Sequence, residues 1–126
     1  MSQSGVPTAV LLMAHGSRRP EANADLAKLA EMLRPRLSGQ IVEIAYLELA
    51  EPSIPEGLER CRSLGAEVVH MLPWFLSAGS HVTDDLTRFR DEFAARHAGL
   101  AVELHPPLGL HPLMVDILLT RLSEPL

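Results

Sequence analysis

Val10-Leu11-Leu12-Met13-Ala14-His15-Gly16-Ser17-Arg18 is an apolar run of strand length that ends on a histidine and a glycine. Its unbroken apolar part, from Thr8 to Ala14, suits a strand covered on both faces, since a half-exposed strand would alternate. The same transition recurs in Met71-Leu72-Pro73-Trp74-Phe75-Leu76-Ser77-Ala78-Gly79-Ser80-His81, where a histidine again stands at the hand-over from strand to helix. In an open parallel sheet the carboxyl ends of the strands face one side, so His15 and His81 are expected to border one small-ligand site.

Around these two runs the chain reads as four strand–helix units. Pro20 opens a helix expected to reach about Leu37, with Leu26, Leu29, Ala30, Leu33 and Leu37 at helical spacing and Pro35 placed to stop it early. Ile41 to Leu47 is the second strand. Ser53-Ile54-Pro55-Glu56 has capping-box spacing, so the next helix is expected to start at Ser53 and end before Gly65. Glu67 to Leu72 forms the third strand, stopped by Pro73. Val82, Leu86, Phe89 and Phe93 give the third helix a core stripe that ends near Gly99. Leu100 to Leu104 is a short fourth strand, and Pro112 starts a last helix to about Leu122. Strands alternating with helices at these lengths imply right-handed βαβ crossovers. Glu43 and Glu103 interrupt the second and fourth strands, which therefore belong at the edges. The expected fold is α/β: an open parallel four-stranded sheet in the order 2-1-3-4, flavodoxin-like, with helices on both faces and a topological switch between strands 1 and 3.

At 126 residues the chain has the size of one domain, 1–126, with residues 1–7 expected as a loose N-terminal tail. Hydrophobic residues make up 47% and the net charge is −5, a balance that argues against nucleic-acid binding, whose footprint is a basic stripe. The single cysteine, Cys61, excludes an internal disulfide and a thiolate cage within one chain, and reads as a core residue of a helix. No apolar run approaches the roughly 18 residues of a membrane span, and no basic, apolar leader is seen, so a cytoplasmic location is expected. In the last helix Leu113, Met114, Val115, Ile117, Leu118, Leu119 and Leu122 make an apolar surface too wide for one face. A second copy of the chain is expected to cover it.

Imidazole is a common ligand of divalent transition metals, and a catalytic metal site keeps coordination positions open. Gly16 and Gly79 are expected to let the backbone approach a ligand closely, and Ser17 and Ser80 to help begin helices whose free N–H groups favour anions. Arg18 and Arg19 add positive charge suited to carboxylates or phosphates. Asp85, one helical turn beyond His81, is placed to orient that histidine or share its proton; with Asp84 it also reads as an acidic first turn that favours the helix dipole. Glu48 closes the second strand as a third ligand, a proton acceptor or a plain surface acid. His70 lies within a strand, His97 at a helix end, and His105 and His111 flank a proline-rich turn, with His111 read as a helix-start residue. These four are less promising as site residues than His15 and His81.

Ala14-His15-Gly16-Ser17-Arg18, Glu48-Leu49-Ala50-Glu51-Pro52-Ser53, Leu72-Pro73-Trp74-Phe75-Leu76-Ser77-Ala78-Gly79-Ser80-His81-Val82 and Pro107-Leu108-Gly109-Leu110-His111-Pro112-Leu113 resemble successive motifs of the CbiX/SirB sirohydrochlorin chelatases. The similarity runs from about Val10 to Leu122. It implies a class II chelatase fold and insertion of a divalent metal, Co2+, Fe2+ or Ni2+, into sirohydrochlorin or a related tetrapyrrole on the way to cobalamin or sirohaem. The metal is then a substrate, and no nucleotide or organic cofactor is expected. The resemblance gives His15 and His81 the metal-binding and catalytic roles and puts Glu48 in the acidic motif. Larger relatives fuse two such units, so a one-unit chain is expected to act as a homodimer with no membrane partner. The histidine-rich segment of some short members is absent, and Asp85-Leu86-Thr87 replaces the usual Asp-Ile-Pro. Two alternatives stay open. One is a protein that binds and delivers a metal or tetrapyrrole without catalysis; the other is a histidine-phosphatase-like enzyme, which would put an arginine where Ala14 stands.

Overall fold

β1 (Thr8–Ala14) pairs in parallel with β2 (Ile41–Tyr46) on one side and β3 (Val68–Pro73) on the other, and β4 (Ala101–Leu104) adds to β3. The computed structural model, which describes residues 5–126, thus carries one sheet in the order β2-β1-β3-β4. The two strands without an interior acid are central, as expected. Ala9, Leu11 and Met13 project to the face covered by α2 (Ile54–Ser63) and α3 (Ser80–Arg96), where they join Leu58, Cys61, Val69, Met71, Leu86 and Phe93. Leu12 projects the other way, onto Leu26 and Ala30 of α1 (Pro20–Leu33). Full burial of a side chain the size of Leu11 or Met71 contributes roughly 1.5–3 kcal/mol, so this core, rather than surface pairing, holds the sheet.

Local chemistry sets the element ends. Ser53 Oγ accepts the Glu56 N–H at 3.2 Å while Glu56 Oε1 accepts the Ser53 N–H at 2.8 Å, completing the expected capping box of α2. That helix then lies so close to the sheet that a Cβ at Gly57 would stand 2.8 Å from the Ala45 Cβ. α1 ends at Leu33 rather than near Leu37, and Arg34–Arg36 form a 3-10 turn. The reason is Pro35, which has no N–H to donate to the carbonyl four residues back. β3 includes Pro73 as its last residue, a terminal position where a missing N–H is tolerated. α3 begins at Ser80, so Asp84 and Asp85 fall beyond its first turn and the expected acidic first turn is not formed.

Of the expected loose tail, residues 1–4 lie outside the described residues. Pro7 is not loose: its carbonyl accepts the N–H groups of Glu67 at 2.8 Å and Val68 at 3.2 Å. At the other end, α4 (Leu113–Leu122) contributes no buried residue. Its start is held by His111, whose Nδ1 accepts the Leu113 N–H at 3.1 Å. Together with α1 and β3 it borders an apolar groove of about 550 Å³ whose lining includes Leu12, Leu33, Leu72, Trp74, Met114 and Ile117. No helix among the described residues is long and apolar enough to cross a membrane.

Candidate active site

The pairing of β1 with β2 continues past its last ladder residues and positions the first two site residues. The Leu47 N–H donates to the Ala14 carbonyl at 2.9 Å and the Glu48 N–H to the His15 carbonyl at 3.0 Å. Successive N–H groups in a strand point to opposite sides, so two in a row on β1 mark a turn. Leu49 completes it with φ of 65°, and the Tyr46 N–H closes the loop on the Pro52 carbonyl at 2.8 Å. His15 Nε2 and Glu48 Oε2 are left 3.0 Å apart, each side chain just over half exposed. At that exposure the contact adds little to stability. What it supplies is orientation: the two atoms can share a proton or stand as neighbouring ligands on one cation. Behind the imidazole lies Phe75, with ring centroids 6.1 Å apart.

Gly16 has a structural task that its sequence does not show. With φ of +102°, it presents its missing Cβ to the Glu48 carbonyl oxygen, which would lie 1.8 Å from such an atom. The chain itself thus makes one close approach at this glycine. Gly79, with φ of −69°, has nothing within 4 Å of a notional Cβ and caps α3. Ser80 is the first residue of α3 and supplies no side-chain cap. Likewise α1 is capped by Arg19, with no side-chain cap, and Ser17 Oγ accepts the Arg19 N–H at 3.0 Å.

Asn23 and Tyr46 brace this rim, and neither stands out in the sequence. Asn23 Oδ1 accepts the Ser17 N–H at 2.9 Å and its Nδ2 donates to the Ser17 carbonyl at 2.7 Å. The Tyr46 hydroxyl donates to the Asn23 carbonyl at 2.6 Å, and burial raises its phenol above the ordinary value. An Asn six residues beyond a Ser is a signal only once the helix start between them is fixed. Arg18 and Arg19 are exposed, and their side chains form no ion pair among the described residues.

His81 opens α3 on the same carboxyl side of the sheet, exposed and without a hydrogen-bond partner among the described residues. Asp85 is turned to Arg88, whose Nη2 donates to its Oδ1 at 3.1 Å. The structure thus joins His15 to Glu48 directly and sets His81 at the head of the helix that follows the neighbouring strand. It also gathers His70, Glu103 and His105, which the sequence does not mark, on the β3–β4 edge.

An open parallel sheet in this order, with an imidazole–carboxylate pair on its carboxyl rim, is the chelatase-like α/β fold. The CbiX family model matches residues 9–125, and the chain belongs to that family. Among relatives, the chloroplastic sirohydrochlorin ferrochelatase of Arabidopsis thaliana is 34% identical over 115 residues, 91% of this chain and 51% of its own length. Among solved structures, a putative cobalamin (vitamin B12) biosynthesis CbiX protein from Marinobacter aquaeolei VT8 superposes with a TM-score of 0.77 at 31% identity, over 94% of this chain and 100% of that one. The sirohydrochlorin chelatase SirB from Bacillus subtilis subspecies spizizenii, in complex with cobalt, gives a TM-score of 0.86 at 28% identity, over 94% of this chain and 51% of that one. The chain spans about half the length of the Arabidopsis relative and of SirB, and the whole of the Marinobacter chain.

Proposed function

We propose that this chain is a metallochelatase that inserts Co2+, Fe2+ or Ni2+ into sirohydrochlorin or a related tetrapyrrole. In this reading it works as a cytoplasmic homodimer, with no nucleotide or organic cofactor and no nucleic-acid or membrane partner. The observation that carries the reading is the 3.0 Å contact between His15 Nε2 and Glu48 Oε2 on the rim of the sheet. Insertion exchanges one M2+ for the two pyrrole N–H protons of the macrocycle, so the site must hold a cation and take up protons at nearly the same place. His15 and His81 hold the metal substrate through imidazole nitrogens, and neutral imidazole or Glu48 accepts the protons and passes them to water on the exposed side of the rim. Arg18 and Arg19, without acidic partners among the described residues, take the peripheral carboxylates of the macrocycle. Gly16, Ser17, Gly79 and Ser80 form the surrounding rim, and Asp85 turns from Arg88 to orient His81. Iron and cobalt appear in the names of the Arabidopsis relative and the SirB structure, which supports this class of metal.

The test is visible absorbance of sirohydrochlorin mixed with Co2+, Fe2+ or Ni2+ in turn, after subtraction of spontaneous insertion. Wild-type protein is expected to make many product molecules per chain. His15→Ala and His81→Ala should each slow insertion by at least about 100-fold, the lower range for a lost proton carrier, with unchanged thermal melting. Glu48→Gln should slow it at every pH. Capture of a single macrocycle or metal without turnover would assign binding and delivery instead, and wild-type rates in both histidine variants would remove the site. A macrocycle with esterified carboxylates should bind poorly, and added salt should weaken binding of the free acid.

A further inference from the structure

The β3–β4 edge brings three side chains together on the side of the sheet away from α2 and α3. In β3, Val69 and Met71 are buried in the core beneath those helices, so His70 between them faces the opposite side. Its partner in register is Glu103 of β4. His105, two residues further on, returns to the same side, and its N–H donates to the Met71 carbonyl at 3.0 Å, prolonging the ladder. His70 Nδ1 consequently lies 2.8 Å from His105 Nε2 and 3.6 Å from Glu103 Oε1. One ligand atom from each of the three residues falls within 4.8 Å of the others.

We propose that His70, Glu103 and His105 form a second divalent-metal site, of the two-imidazole, one-carboxylate kind, that takes a borderline ion such as Zn2+ or Co2+. Around such an ion, bonds of about 2.0–2.2 Å set neighbouring ligand atoms roughly 3.3–3.5 Å apart. The observed 2.8 Å and 3.6 Å straddle that separation, so a slight opening of the imidazole pair admits the ion. Two imidazoles favour Zn2+, Co2+ or Ni2+ over Mg2+ and Ca2+, which take oxygen ligands. Three protein ligands leave a position for water. Access is direct, since Glu103 is 57% exposed and His70 29%. Two of the ligands stand on paired strands and the third one residue beyond β4, so the set is held by backbone register. A metal bound here clips β4, which pairs on one side only, to the sheet interior. The site shares no residue with His15, Glu48 or His81.

The test uses the His15→Ala/His81→Ala double variant, from which the rim ligands are gone. Equilibrium dialysis against Co2+ or Zn2+ should leave one metal per chain, with the intense visible absorption of four-coordinate Co2+ and a raised melting temperature in Zn2+. Adding Glu103→Gln should weaken binding at least tenfold, and adding His105→Gln as well should abolish it, with the circular dichroism of the metal-free protein unchanged. No retained metal in the double variant, or equal retention after Glu103→Gln and His105→Gln, would overturn the proposal and leave a plain histidine–histidine hydrogen bond. The otherwise wild-type Glu103→Gln/His105→Gln protein should insert metal into sirohydrochlorin at the wild-type rate. A rate that falls with it would show that the two sites are not separate, and loss of insertion in the rim variants alone leaves this proposal standing.

Discussion

A methyl group at Gly16 and one at Gly79 would meet opposite fates, although both glycines stand beside a site histidine. At Gly16 it would fall 1.8 Å from the Glu48 carbonyl oxygen, on a backbone with φ of +102°. Gly16→Ala must therefore push away the turn that follows β2, and the His15–Glu48 contact goes with it. Strain of this kind costs about 1–3 kcal/mol, to be read from urea denaturation, and metal insertion should fall in parallel. Gly79→Ala meets open space and changes only an N-cap that makes no side-chain hydrogen bond, so its cost should stay below about 1 kcal/mol. Equal losses in the two variants would defeat the crowding argument. Cys61 makes a second residue-scale case: burial, with the Glu43 carboxylate adding to it, pushes its thiol up to about 12 from 9.0. The folded chain keeps the proton while the unfolded chain releases it, so stability contributed by the neutral thiol is present below 9.0 and is lost as pH climbs from 9.0 toward about 12. In chemical denaturation across that window, Cys61→Ala should show a shallower decline than the wild type; identical slopes would mean the thiol is not the group responsible.

At the scale of elements, α2 owes its start to a reciprocal pair of hydrogen bonds between Ser53 and Glu56. Ser53→Ala leaves the Glu56 N–H without its acceptor and should cost about 1 kcal/mol, measured as a lowered denaturation midpoint with an unchanged slope. That start is legible in the sequence because capping chemistry is local. The strand order is legible for a related reason: Glu43 and Glu103 cannot sit in a strand covered on both faces, which sends β2 and β4 to the edges. His15 and Glu48 are legible as residues at the carboxyl ends of neighbouring strands. Their contact is not, since it depends on the turn at Leu49 and on the space left at Gly16. The His70, Glu103 and His105 cluster lies further from view. An isolated charge in a strand reports exposure, whereas which residue of β4 faces His70 is set by register across the sheet. Asp84 and Asp85 mislead in the sequence because their distance from the helix start depends on an end that neither residue fixes.

At the scale of the whole molecule, α4 is the part that the single chain does not account for. It has ten residues, none of them buried, and isolated helices shorter than roughly 12–15 residues are marginal in water. Leu113, Val115, Leu118, Leu119 and Leu122 are each more than half exposed, beside the apolar groove that α4 shares with α1 and β3. The chain itself gives α4 a His111 cap at its start and one side of a groove but buries none of its residues, so the proposed second copy laid across it would supply the missing stability. The rim points the same way: with His15 and Glu48 more than half exposed, one chain offers an open edge to a large flat macrocycle, and two facing chains would enclose it with two sets of His15, Glu48 and His81. Sedimentation of the wild-type protein at micromolar concentration is expected to give twice the monomer mass. Leu118→Glu/Leu122→Glu should shift it to monomer, lower the helical circular dichroism by about one helix, and reduce insertion while leaving the sheet folded. A wild-type monomer that still turns over would refute the facing-unit arrangement, and the chemistry of His15 and Glu48 would then have to operate on an open rim.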